Sequence, residues 1–280
     1  MSGKRRSPAL TIARADLRQL WTSKDFWVPM VFMAGLFFVL IPLFLLLVIG
    51  RAGDIRVINT VSQTLKVLPS AARNAIETRC HDPAGCTQYA LAVYMFAPLA
   101  IVVPLTISSA VGANGVVGER ERGTGEFLAH TPATEREIYI GKLIASLLPG
   151  YLTTVVGFGI YSIIVNVLVG PKVGGWFFPT KEWWVLMFWV VPPFIGLALS
   201  LVLRMSARVR SSAAAQQASG LITLPLILLS YGQTTGALYG RGEGGWILGG
   251  LAWIGAIIGL IRGQHALSRE KLLGVDVELR

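Results

Sequence analysis

The chain has 280 residues, of which 53% are hydrophobic and only 14% are charged, with a net charge of +10. Soluble globular domains contain about 25% charged residues, so the composition excludes an ordinary soluble protein and indicates a membrane protein. In a membrane protein an excess of Lys and Arg over Asp and Glu reflects the orientation of the chain in the membrane and its contact with anionic lipid. With no nucleic-acid-binding motif visible, it does not predict a nucleic-acid partner.

The first predicted element is an amphipathic helix at residues 7–24. Ser7 followed by Pro8 is typical of a helix start. Apolar residues recur at helical spacing, and Arg14 and Arg18 lie on the other side. The apolar positions are Leu10, Ala13, Leu17, Leu20 and Trp21. The segment is too polar to span a membrane, so we expect an interfacial helix along the inner leaflet. A plain cytoplasmic extension of the first span is the alternative.

Six apolar runs follow, each close to the 20 or so residues that a helix needs to cross about 30 Å of hydrocarbon. They cover residues 26–49, 89–111, 142–169, 183–203, 213–231 and 244–261. Backbone groups in lipid must be bonded internally, so the spans must be helical. The sequence therefore predicts an all-α integral membrane protein with six transmembrane helices in one transmembrane domain, residues 1–280.

Charge predicts the orientation of these spans. If the N-terminus is cytoplasmic, most of the 25 Lys and Arg residues lie on the inner side, as the positive-inside rule requires. We therefore expect a multi-pass protein of the cell's inner (plasma) membrane with both termini in the cytoplasm. Aromatic residues at the outer edge of the fourth span predict an interfacial belt. These are Trp176, Phe177, Phe178, Trp183 and Trp184.

Two features inside the runs predict helix contacts. Gly245, Gly249, Gly255 and Gly259 have the small-xxx-small spacing that lets helices approach closely. Asn166 is the most conspicuous polar residue within a span, and we expect it to form a helix–helix hydrogen bond.

The loop at residues 50–88 is predicted to be large and to lie outside the cell. Helical spacing of Ile58, Val61, Leu65 and Leu68 indicates a short surface helix there. The only two cysteines, Cys80 and Cys86, lie in this loop, where disulfides persist. A structural disulfide is the favoured interpretation. Two free thiols, or a metal site with His81 and Asp82, are the alternatives.

Residues 112–141 are predicted to form a cytoplasmic loop with one dense polar block. The block reads Gly118-Glu119-Arg120-Glu121-Arg122-Gly123-Thr124-Gly125-Glu126, and it is followed by Pro132 and by Ile138-Tyr139-Ile140-Gly141-Lys142. We expect the three glutamates and two arginines of the block to form a local ion-pair network. Its ionised groups must lie in water, so the block is a candidate surface for a protein partner.

Missing residues exclude several classes of protein. The apolar runs contain essentially no Asp, Glu, Arg or His, whereas ion-driven carriers and intramembrane hydrolases need such groups at depth. Gly141-Lys142 does not end a phosphate-binding loop, because Arg136 stands at the first glycine position and Leu143 at the hydroxyl position. We therefore expect no catalytic residue, metal or cofactor in this chain, and energy must come from a partner.

The block from Gly118 to Lys142 resembles the signature loop of the type-2 ABC exporter permeases, in which a G-E-x-E-x-G-T-L-E segment precedes a proline and I-x-x-G-K. Residues 12–20 are similar to the N-terminal elbow helix of that family, and the resemblance extends over essentially the whole chain. Gly125 departs from the pattern, since leucine is usual there. The resemblance implies that Glu119, Arg120, Glu121, Arg122, Gly123, Thr124, Glu126 and Pro132 couple the chain to an ATPase. It also implies an elbow helix that includes Arg14, Leu17, Arg18 and Trp21.

The function that the resemblance implies is export of a drug, lipid, peptide or antibiotic out of the cytoplasm. A separate cytoplasmic ABC ATPase subunit would use Mg-ATP, and a second permease copy or a paralogue would complete a dimer surrounded by membrane lipids. Largely apolar spans favour an amphipathic or hydrophobic cargo. The alternatives are a membrane scaffold that docks a partner through residues 119–142, and a lipid head-group enzyme. Glu119 and Glu121 do not share one helix face, which argues against a Mg²⁺ site for such an enzyme.

Overall fold

A computed structural model describes residues 7–52, 70–80, 82–124, 130–209, 211–232 and 244–263. Within these ranges the regular structure is entirely helical. The helices are α1 (Pro8–Thr22), α2 (Lys24–Gly35), α3 (Ile41–Ala52), α4 (Ser70–Arg79), α5 (Pro83–Ala90), α6 (Leu99–Glu121), α7 (Glu135–Leu168), α8 (Lys181–Val185), α9 (Val191–Ser206), α10 (Ser212–Gly232) and α11 (Gly244–Gly263). Single π-helical turns at Leu36–Leu40, Leu91–Met95 and Leu186–Val190 follow α2, α5 and α8.

Five helical segments of the described ranges are long and apolar enough to cross a membrane. They are Lys24–Arg51, Pro83–Glu119, Glu135–Leu168, Lys181–Ser206 and Gly244–Gly263. Each corresponds to one of the predicted spans. The other predicted span, residues 213–231, lies within the helix α10. An all-α membrane fold is therefore confirmed, and the count of six spans stays a prediction.

Two helices extend well beyond the apolar runs that predicted them. α6 continues to Glu121 and α7 begins at Glu135, so the predicted loop at residues 112–141 is helical at both ends. Hydropathy detects only the apolar part of a helix, whereas capping groups set its ends. At the start of α7, Thr134 and Glu137 form a capping box in which each side chain bonds the other's backbone N–H.

The end of the bundle farthest from α1 is built from aromatic side chains. Here α7 ends, α8 begins, and Trp183 packs among Phe158, Tyr161 and Phe178 with ring centroids 5.0–5.7 Å apart. Trp183 is only 1% exposed, and Phe178 is equally buried. The predicted interfacial belt is therefore wrong for these two residues, because they form core, whereas Trp176 and Trp184 are exposed.

A break between α5 and α6 is stabilised by the same cluster. The helix is interrupted at Phe96–Pro98, where proline supplies no backbone donor. The carbonyl of Ala92 accepts a hydrogen bond from the Tyr161 hydroxyl at 2.6 Å, and that of Val93 accepts one from Trp183 Nε1 at 2.9 Å. Buried carbonyls need such partners when the helix cannot supply them.

Asn166 was expected to form a hydrogen bond between two helices. Instead, its side chain closes the connection between α7 and α8. Its Oδ1 accepts hydrogen bonds from the backbone N–H groups of Phe177 and Phe178 at 2.9 and 3.0 Å. Its Nδ2 donates to the Phe178 carbonyl at 2.6 Å. The side chain therefore satisfies the polar backbone of a turn buried beside the aromatic cluster.

The loop at residues 50–88 contains α4 and the start of α5. Cys80 and Cys86 form a disulfide between these helices, with Cα atoms 5.3 Å apart. The described residues contain no group of His, Cys, Asp and Glu that could hold a metal ion. The surface helix predicted from Ile58 to Leu68 lies outside the described residues, as does His81.

α6 is the central helix of the fold. It packs against α7, α9 and α10, and hydrogen bonds join it to the last two: Ser206 donates to the Ala113 carbonyl at 2.6 Å and Gln216 to the Ala110 carbonyl at 3.1 Å. α11 packs on α9. Gly249 faces Trp189 and Gly259 faces Ser200 so closely that a Cβ would collide, which confirms the predicted close packing of this helix.

Candidate functional site

The signature block and α1 meet around one buried ammonium group, that of Lys142. Lys142 lies in the first third of α7 and its side chain is 1% exposed. Its Nζ lies 2.7 Å from Glu119 Oε1, at the end of α6, and 3.4 Å from Asp16 Oδ2, on α1. We call Asp16, Glu119 and Lys142 the ionic triad. It joins α1 to the consecutive helices α6 and α7.

Gly141, next to Lys142, lets α1 approach α7 directly. A Cβ at this position would lie 2.8 Å from the carbonyl oxygen of Ala9 and 3.0 Å from Ile12. Ala9 and Ala13 are the buried residues of α1, and Asp16 follows on the same side at helical spacing. The Gly-Lys pair of the signature block therefore docks α1: the glycine provides contact and the lysine provides the ion pair.

Glu119 departs from its predicted role. It was expected to pair with Arg120 or Arg122 in the same segment, but its side chain, 13% exposed, binds Lys142 instead. Its other carboxylate oxygen, Oε2, is buried and has no hydrogen-bond partner among the described residues. Two carboxylates thus share one ammonium. Burying ions is costly, and removing one partner of such a group costs about 3–5 kcal/mol.

Glu121 turns to a different neighbour. Residues two apart on a helix point to different sides, so Glu121 faces α10 while Glu119 faces α7. Its Oε1 accepts a hydrogen bond from the backbone N–H of Ser212 at 2.8 Å, and its Oε2 accepts one from the Ser212 hydroxyl. Ser212 is the first residue of α10, where a carboxylate stabilises the helix through unpaired N–H groups and the macrodipole.

Gly123 and Thr124 end α6. Gly123 has φ of +69°, the left-handed region that favours glycine. The backbone N–H of Thr124 donates to the Glu119 carbonyl at 2.8 Å, which is the long bond of a Schellman motif. The order Glu-x-Glu-x-Gly-Thr therefore has a local physical meaning. Its glutamates bind two neighbouring helices, and its Gly-Thr stops the helix immediately afterwards.

The remaining predicted coupling residues lie at the exposed end of this region. Arg122 is exposed, with its guanidinium over Gly118, and Pro132 is exposed before α7. The structure does not describe the Arg120 side chain or Glu126. The predicted coupling helix around residues 125–132 falls mostly outside the described residues and stays a prediction.

A helix, α1, covers the segment that was predicted to be the elbow helix. Pro8 is its first residue, although Ser7 makes no side-chain capping bond. Arg14 and Arg18 are exposed, Leu17 is half-buried, and Trp21 is 77% exposed. Its position along a membrane surface stays a prediction.

Sequence reasoning missed the roles of Asp16, Gly141, Lys142 and Ser212 in this arrangement. A signal was present for Asp16, which continues the spacing of the small residues Ala9 and Ala13 on the buried side of α1. An acidic residue on that side needs a buried cation as partner. No comparable signal marks Ser212, because its contact depends on where α6 ends.

Residues 10–240 match the family model described as ABC-2 family transporter protein. No curated protein matches the chain. The matched range begins in α1 and includes the signature block and the whole ionic triad. Since the match covers most of the 280 residues, the chain belongs to the ABC-2 family of transporter proteins.

Proposed function

We propose that the chain is the membrane-spanning permease subunit of an ATP-driven exporter that moves an amphipathic or hydrophobic substrate out of the cytoplasm. A separate ABC ATPase subunit binds and hydrolyses Mg-ATP, and this chain contributes no catalytic residue. The observation that carries the proposal is the ionic triad. It holds α1, α6 and α7 together directly beneath the exposed segment that the family uses to bind its ATPase.

The geometry favours force transmission. α6 and α7 extend past their apolar segments to Glu121 and from Glu135. The exposed residues 122–124 and Pro132, which we call the tip, therefore adjoin two continuous helices. α6 is in turn joined to α10 through Glu121 and Ser212 and to α9 through Ser206. A push on the tip would therefore move four helices and α1 as a body, as rigid-body switching requires.

Orientation and assembly follow from this role. The tip, α1 and both termini face the cytoplasm, the disulfide loop faces the outside of the plasma membrane, and a second copy or a paralogue completes the transport path. α10 is then the sixth transmembrane helix.

The proposal is tested by purifying the tagged chain from its native membrane in mild detergent and identifying its bound proteins by mass. We expect a stoichiometric nucleotide-binding subunit. Arg136→Glu reverses an exposed charge beside Pro132, in the first turn of α7, where an acidic residue suits the helix. It should release that subunit or lower its ATPase activity at least fivefold.

Arg262→Glu is the matched control, because Arg262 is exposed at the end of α11 and lies outside the signature block. It should retain the ATPase subunit. If the chain purifies alone, or only with membrane proteins that bind no nucleotide, the result contradicts the exporter function. The membrane scaffold would then be the better-supported function.

A further inference from the structure

Two cavities adjoin each other beside the ionic triad. The first, about 230 Å³, has Asp16, Asn114, Glu119 and Arg122 in a lining that is otherwise largely apolar. The second, about 170 Å³, is lined mainly by apolar residues of α1, α2 and α7. Leu20, Phe26 and Val111 line both. The two cavities therefore adjoin along these three side chains. We treat them together as a groove with a polar head, where the charged groups lie, and an apolar tail.

The polar head carries charges of both signs. Asp16 and Glu119 present two carboxylates to the single ammonium of Lys142, which leaves a net negative charge. Glu119 Oε2 is buried and accepts no hydrogen bond from the described residues, and Asp16 keeps 20% of its side-chain surface exposed. A buried carboxylate oxygen without a donor is costly. Arg122, on the same cavity, supplies a positive guanidinium.

The apolar tail opens on the outer surface of the helix bundle. Trp21 of α1 and Leu152 of α7 line it and are 77% and 55% exposed. Trp27 of α2 also lines it and is partly exposed. Tryptophan is enriched where the headgroup and hydrocarbon regions of a bilayer meet. With α1 along the membrane surface, as predicted, this opening would face lipid where a phospholipid headgroup meets its acyl chains.

We propose that this groove binds one phospholipid whose headgroup carries both a primary ammonium and a phosphate, as phosphatidylethanolamine does. The ammonium donates to the partly exposed carboxylate of Asp16, with the negative charge of Glu119 behind it, the phosphate pairs with Arg122, and an acyl chain lies along Trp21 and Leu152. A zwitterion matches the two charged walls in a way that a singly charged ligand does not. The lipid fills the space between α1 and the spanning helices and so supports the docking of α1.

The test measures binding of lipids with identical acyl chains to the delipidated chain in detergent, by native mass spectrometry or by lipid-dependent thermal shift. Phosphatidylethanolamine should bind at least tenfold tighter than phosphatidylcholine, whose quaternary nitrogen has no N–H to donate, and than anionic phosphatidylglycerol. Soluble glycerophosphoethanolamine, which has the headgroup alone, should bind at least tenfold more weakly. Equal binding of the three lipids, or equal binding of the soluble headgroup, would overturn the proposal.

Three variants locate the site. Asp16→Asn and Arg122→Gln should each remove the preference for phosphatidylethanolamine. Leu152→Trp fills the apolar tail from an exposed position without touching a charge, so it keeps the proposal testable even if Asp16→Asn impairs folding. It should weaken phosphatidylethanolamine binding at least tenfold. Arg18→Gln is the control on an exposed α1 residue that lines neither cavity, and it should leave binding unchanged.

Unchanged binding in Leu152→Trp would overturn the site. Binding is measured on the chain alone and needs no ATPase, so this result is independent of whether the exporter function holds.

Discussion

The two ends of the helix bundle are held together by different forces. At the end with the disulfide, aromatic rings pack in contact and each break in the helices is closed by a side chain such as Tyr161, Asn166 or Trp183. At the α1 end, charged side chains join α1, α6 and α7 next to exposed residues. Apolar contacts are many and non-directional, whereas an ion pair can be exchanged for water or for a partner's charge. The aromatic end is suited to stay fixed while the α1 end responds to a partner.

The largest effect should come from Trp183→Ala, which tests whether the aromatic end is purely structural. Removing a fully buried tryptophan costs about 3–5 kcal/mol, and the Val93 carbonyl loses its donor as well, which adds about 1–3 kcal/mol. We expect the protein to unfold at a much lower temperature in detergent. Any molecules that do fold should still stimulate the ATPase normally.

Trp176→Ala is the matched control, since Trp176 is near the same turn but largely exposed. It should shift unfolding only slightly, by about 0.5 kcal/mol or less. A folded Trp183→Ala protein that has lost ATPase stimulation would break the comparison, because the aromatic end would then take part in coupling.

The ionic triad provides the next test. Lys142→Met removes the ammonium and leaves two carboxylates facing each other, so we expect a loss of about 3–5 kcal/mol. Adding Asp16→Asn and Glu119→Gln removes those charges, and the triple variant should regain most of the lost stability. Thermal unfolding in detergent measures both.

The triple variant also separates stability from coupling. It should fold, because a neutral, well-packed site can replace a buried ionic one, yet α1, α6 and α7 would no longer be joined by charge. We expect it to bind the ATPase subunit but to stimulate ATP hydrolysis several-fold less than the native chain. Normal stimulation in a stable triple variant would show that the triad contributes only stability.

The sequence predicts each of these regions to a different extent. Five apolar helices could be located because hydropathy depends on local composition, and the signature block could be found by its resemblance. The partners of the block could not. Glu119 meets Lys142, and Glu121 meets Ser212, only because α6 continues to Glu121, and hydropathy alone does not show how far a helix continues past its apolar run. Trp183 was predicted to lie at the membrane interface because the sequence pattern does not reveal the turn, closed by Asn166, on which its burial depends.

The smallest effect, and the sharpest test of the α1 end, is expected from Gly123→Ala. No atom lies within 4 Å of the position that a Cβ would occupy at Gly123, so the substitution creates no collision. It only strains a backbone with φ of +69°, at a cost of about 1–2 kcal/mol. Gly123→Asn should cost less, because asparagine tolerates this region better. Gly220→Ala is the control: Gly220 lies within α10 with open space around it, and alanine there should stabilise the helix by about 1 kcal/mol.

Because Gly123 ends α6 directly above Glu119 and Glu121, the strain should appear as weaker ATPase stimulation before it appears as unfolding. Stimulation should follow the order glycine, asparagine, alanine at position 123, and it should be unaffected at position 220. If alanine at position 123 lowered the unfolding temperature but left stimulation intact, the end of α6 would be a structural stop only. The exposed tip would then transmit force through α7 alone.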